Sequence, residues 1–67
     1  MKLLDVVALT EDLSEQGLTK GQVGTIVEQL APDVFEIEFS GLDGKTYAVA
    51  AVPASRLIRL IHEPAAA

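Results

Sequence analysis

The segment Val34-Phe35-Glu36-Ile37-Glu38-Phe39 alternates strictly between apolar and acidic residues over its last five positions. A period of two is satisfied by an extended strand with one buried and one wetted face, whereas a helix would scatter these residues around its circumference. Phe35, Ile37 and Phe39 are therefore expected to point into a core, and Glu36 and Glu38 away from it. Ser40-Gly41-Leu42-Asp43-Gly44-Lys45 follows, with Asp43-Gly44 where a hairpin needs positive φ. The chain then resumes as the apolar run Thr46-Tyr47-Ala48-Val49-Ala50-Ala51-Val52. These features predict one hairpin.

The rest of the chain continues the β pattern. Gln22 to Leu30 is β-branched at Val23, Thr25, Ile26 and Val27 and runs into Ala31-Pro32-Asp33. Proline cannot donate to a ladder and aspartate favours a turn, so the strand stops there. Gly24 inside that run predicts a bulge or a close backbone approach. Asp5 to Thr10 reads as a short first strand with Val7 and Leu9 inward, followed by an eleven-residue polar connection, Glu11 to Gly21. Pro53-Ala54-Ser55-Arg56 fits a single 3₁₀ turn with proline at its start. Leu57 to Ile61 reads as the last strand, with Arg59 facing outward. A helix over Leu3 to Ser14 is the competing assignment, but Val6, Val7 and Thr10 lower helix propensity and no clear cap precedes them.

Five short strands, a long connection after the first and a 3₁₀ turn before the last describe an all-β fold, a small five-stranded SH3-like barrel. One domain is expected over residues 1–62, with 63–67 a frayed C-terminal tail. The expected core is Val7, Leu9, Val23, Ile26, Val27, Phe35, Ile37, Phe39, Tyr47, Val49, Leu57, Ile58 and Leu60. An oligonucleotide-binding barrel normally needs a helix between its third and fourth strands, for which the chain has no room.

Composition then narrows the function. The chain has 67 residues, in the size range where a hydrophobic core is marginal and disulfides, a metal or association usually contribute. It contains no cysteine and a single histidine, His62, which removes disulfides and the usual zinc ligand sets. Ten acidic against five basic residues give a net charge of −5, which argues against a phosphate-backbone binder. Met1-Lys2-Leu3-Leu4 begins like a signal peptide, but Asp5 interrupts it well short of the roughly 7–15 apolar residues required. The longest apolar run, Tyr47 to Ala54, is far below the ~20 residues that span a bilayer as a helix. A soluble, cytoplasmic protein is the expectation.

The stretch Gly17-Leu18-Thr19-Lys20-Gly21-Gln22-Val23-Gly24-Thr25-Ile26-Val27 carries a further signal. Together with Asp5-Val6-Val7-Ala8-Leu9-Thr10-Glu11-Asp12-Leu13 and the Val34–Phe39 alternation, it resembles a family of short bacterial proteins known only as a domain of unknown function. The resemblance runs from about Leu4 to Leu60 and meets the pattern G-x-x-x-G-x-V-G-T-I-V. It implies an SH3-like fold and transfers no catalytic residue. The same segment resembles, more weakly, the KOW-type hairpin of ribosomal and transcription-associated proteins, with glycines matching at Gly21 and Gly24. The basic residues of those modules are mostly missing, since only Lys20 and Lys45 lie near the corresponding loops.

The candidate chemistry is sparse. Glu11, Asp12 and Glu15 on the long connection, with Glu36, Glu38 and Glu28, could form an acidic surface that docks a basic partner; the simpler reading is a solvated face that keeps a small protein soluble. Their spacing fits no Ca²⁺ loop. His62 has Glu63 beside it and Ser55 as the nearest hydroxyl in sequence, but nothing resembles a nucleophile elbow. No catalytic residue, metal or cofactor is expected. The run Ala48-Val49-Ala50-Ala51-Val52 is apolar on both faces, a pattern normally covered on both. Ala48, Ala50 and Val52 are expected on its outer face, contacting a second copy of the chain or another protein. The predicted function is a non-catalytic protein-interaction module: a small acidic accessory or regulatory subunit, of antitoxin- or immunity-like character, that binds a protein partner or forms a homo-oligomer. A KOW-like nucleic-acid-associated module is the alternative.

Overall fold

The computed structural model describes residues 1–41 and 46–60. The elements are β1 (Val6–Leu9), a 3₁₀ turn η1 (Ser14–Gln16), β2 (Val23–Ala31), β3 (Val34–Ser40), β4 (Thr46–Pro53), a second 3₁₀ turn η2 (Ala54–Arg56) and β5 (Leu57–Arg59). The strands form one antiparallel sheet in the order β4-β3-β2-β1-β5. The fold is all-β with five strands, as the sequence predicts, and the expected 3₁₀ turn precedes the last strand. Among the described residues the ladder does not join its own ends: β4 and β5 are its two outer strands. Asp43-Gly44, Lys45 and the tail 63–67, with His62, lie outside the described residues.

One sheet with no covering layer among the described residues must curl to hide its apolar face. Val52 on β4 and Leu57 on β5 come from opposite edges of the ladder and belong to the same core cluster. η2 accounts for that approach. Its three residues advance the chain only about 6 Å, so the end of β4 and the start of β5 are held close together. The β2–β3 turn is tied to the same corner, because the Ala54 amide donates to the Asp33 carbonyl at 2.7 Å.

Curling also requires β2 to bend, and the devices for this are local. Register shifts lie between Ile26 and Glu28 and between Gln29 and Ala31, which leaves Val27 and Leu30 as bulged residues. Gly24 is a close approach rather than a bulge. It pairs with Val7 on one side and Phe39 on the other, and a Cβ added there would sit 2.6 Å from Ile37 Cγ2 and 2.8 Å from the Glu38 carbonyl oxygen. Only glycine fits.

The core is built from Val7, Leu9, Ile26, Phe35, Ile37, Phe39, Val52 and Leu57, with Leu13, Leu18 and Ala50. Phe35, Ile37 and Phe39 are all buried, as the alternation predicts. Five expected core residues are instead exposed: Val23, Val27, Tyr47, Val49 and Ile58; Leu60 is half-buried. Val27 is displaced by its bulge. Val23 and Ile58 both lie across from Ala8 on the outer face of the sheet. Tyr47 and Val49 are outside because β4 has the opposite facing to the one expected, a correction that bears directly on the site.

Candidate functional site

The long connection is more ordered than its polarity suggests. Leu13 and Leu18 exchange two backbone hydrogen bonds (Leu13 N–H to Leu18 O, 2.9 Å; Leu18 N–H to Leu13 O, 3.1 Å), pinching the loop into a narrow ring around η1. Gly17 closes that ring with φ 71°, a left-handed conformation that glycine adopts without a Cβ penalty. Both leucines are buried and belong to the core cluster. The loop is thus anchored in the core of the sheet. Sequence reasoning missed this, although Leu13 and Leu18 are the only large apolar residues between Glu11 and Gly21 and flank the glycine.

The acidic residues of the loop have separate tasks. The Asp12 carboxylate accepts a hydrogen bond from the Lys20 amide at 2.8 Å, joining the two limbs of the loop. Glu11 forms an ion pair with Arg56 of η2, 2.7 Å from carboxylate oxygen to Nε, with both side chains about half exposed. A pair this exposed contributes at most about 1 kcal/mol. Glu15 projects from η1 and is exposed, with no ion pair among the described residues. At the other end of the loop, Gln22 Nε2 donates to the Tyr47 hydroxyl at 2.7 Å. The loop therefore reaches the first half of β4 through Gln22 and its last half through η1.

Between η1 and the end of β4 lies a groove of about 300 Å³, lined by residues 12–16, Ala51, Pro53 and Arg56. Glu36 and Glu38 occupy the outer face of β3, half-buried, opposite Ala51 and Val49 of β4 respectively. Glu28 of β2 lies directly opposite Glu36. Ala51 consequently belongs to both features: it lines the groove and neighbours Glu36. The predicted acidic residues thus divide into a loop group and a strand group that meet at Ala51.

The apolar half of the predicted site is corrected. Ala50 and Val52 are buried at 8% and 0% exposure, and Ala48 packs against the core. Their Cα partners are Ile37, Phe35 and Phe39, all of which face inward. The outer face of β4 carries Tyr47, Val49 and Ala51 instead. Because every residue from Tyr47 to Val52 is apolar, the sequence offered no polar marker of facing, and a one-residue error reverses the whole strand.

The chain belongs to the family described as a domain of unknown function, DUF4926, whose pattern matches residues 3–59. No curated protein and no solved structure matches it. Among the described residues no three His, Cys, Asp or Glu side chains converge as a metal ion would require. No helix among them is long and apolar enough to cross a membrane.

Proposed function

We propose that this chain is a non-catalytic protein-interaction module, a small acidic accessory or regulatory subunit of a bacterial cytoplasm, whose partner docks in the groove between η1 and β4. The observation that carries this reading is the meeting of the two acidic groups at Ala51. Asp12 and Glu15 stand on one wall of the groove. Glu36 and Glu38 lie beyond its floor on the adjoining strand. Arg56, the cation at the groove, is already engaged by Glu11, so the field there is net negative. A basic segment of another protein is the complementary occupant. An antitoxin- or immunity-like role, masking a basic active surface, is one form this takes.

The KOW-like alternative needs Lys2, Lys20, Lys45, Arg56 and Arg59 to gather on one face. Arg56 is paired with Glu11, and Arg59 lies 3.4 Å from Asp5, so two of these five cations already face a carboxylate.

A photo-crosslinking side chain placed at Gln16 tests the proposal in the native host. A specific protein is expected to be captured, to bind the purified chain with salt-dependent affinity, and to be lost with Glu15→Arg. Recovery of nucleic acid alone, or a captured protein indifferent to Glu15→Arg, would count against it.

A further inference from the structure

β4 is an outer strand of the ladder, with β3 on one side and no strand on the other among the described residues. Such an edge presents N–H and C=O groups that meet water or pair with another strand. Natural edges are usually kept short or given charge. β5, at the far side of the ladder, follows that rule with three residues, one of them Arg59. β4 does not: it is eight residues long and has no charged side chain. Only Pro53, at its very end, lacks an N–H to offer.

We propose that the free edge of β4 takes up an extended segment of a partner protein as a sixth strand, and that this segment carries basic side chains at alternate positions. The inference rests on the protein-binding reading above and specifies the partner's chemistry. The register supplies the pattern. A residue added opposite Ala51 would lie two strand spacings, about 9.6 Å, from Glu36. Ala51 ends at Cβ, so a lysine or arginine side chain passes over it to the Glu36 carboxylate. Two residues along, the position opposite Val49 stands in the same register to Glu38, with the larger Val49 side chain between them. Neither glutamate has an ion pair among the described residues, and Glu28 opposite Glu36 adds a like charge. A cation arriving there makes an ion pair and also relieves a repulsion. Between the two basic positions, the residue opposite Ala50 lies on the core side and is apolar. A second copy of this chain does not fit the pattern, because its own β4 has no basic residue and each copy carries a charge of −5.

The test uses the full chain and two eight-residue peptides of equal composition, one alternating lysine and valine, the other with lysines and valines in separate blocks. The alternating peptide is expected to bind at least tenfold more tightly. It should slow hydrogen exchange at the β4 amides that do not bond to β3, and lose about fivefold in affinity with Glu36→Gln plus Glu38→Gln. Equal binding of both peptides overturns the inference, as does affinity unchanged in the double variant. Protection confined to residues 12–16 also overturns it, while leaving the groove reading in place. Slow exchange of the same β4 amides before peptide is added, with or without a dimeric mass, overturns it too, since the edge would then be occupied by a second copy or by residues 61–67. If neither peptide binds, the edge is not a docking site, and the Gln16 crosslink then decides the groove reading by itself.

Discussion

β3 and β4 lie side by side in one ladder, yet their sequences specify facing in different ways. In β3 each inward residue is large and apolar, and the two residues between them are glutamates. Turning that strand over would bury Glu36 and Glu38 unpaired, at a cost of several kcal/mol each. In β4 neither facing buries a charge: one face carries Ala48, Ala50 and Val52 and the other Tyr47, Val49 and Ala51, and neither is marked by an ionised side chain. Its facing is set from outside, by the pairs Phe39↔Ala48, Ile37↔Ala50 and Phe35↔Val52. Large residues on β3 meet small ones on β4, which fills the interior of a tightly curled sheet without overpacking. A strand can thus be strongly predicted as a strand while its two faces remain undecided.

The comparison breaks most severely at Gly24, which lets β3 lie as close to β2 as it does. Gly24→Val should remove at least the ~5 kcal/mol that a domain of this size has to lose, because the Glu38 carbonyl oxygen cannot move aside. Circular dichroism at low temperature should show an unfolded chain. A smaller effect is expected in the loop that adds Leu13 and Leu18 to the core: Leu18→Ala should cost about 2–5 kcal/mol and Glu15→Ala less than about 0.5 kcal/mol in urea denaturation. Equal costs would mean that the loop is not part of the core.

Two valines on β4 test the facing itself. Val52→Ala should cost about 2 kcal/mol and Val49→Ala less than about 0.5 kcal/mol, since the first is fully buried and the second 52% exposed. The reverse order would restore the facing expected from sequence. The smallest effect concerns charge on β3. Glu36→Lys replaces a like-charged pair with Glu28 by an opposite one and should stabilise the fold by about 0.5 kcal/mol, less at high salt. The same substitution should abolish binding of the alternating lysine peptide, so stability and binding move in opposite directions.

Much of the fold is legible in the residues. The glutamates of β3, the Pro32-Asp33 turn, the 3₁₀ turn at Ala54–Arg56 and the short first strand all carry local signals that survive in the structure. The losses share one cause. Val23, Val27, Tyr47, Val49 and Ile58 are good strand residues placed on the wrong face, because facing follows from bulges and registers that depend on a neighbouring strand. Glu11, Asp12 and Glu15 were recognisable as an acidic loop, but the pairing of Glu11 with Arg56, the hydrogen bond from the Lys20 amide to Asp12 and the nearness of Asp12 and Glu15 to Ala51 were not. Those relations join residues far apart in the chain.

The sequence by itself determined that this chain is a small all-β domain with an acidic outer face on β3, because alternation, turn residues and charge are local properties. It also excluded disulfides, through the absence of cysteine. Only the tertiary structure decided that Leu13 and Leu18 belong to the core, that Ala50 and Val52 are core, and that Ala51 joins a groove to a row of carboxylates. Each depends on which strand lies beside which and in what register, and an all-apolar strand contains no charge to fix that choice alone.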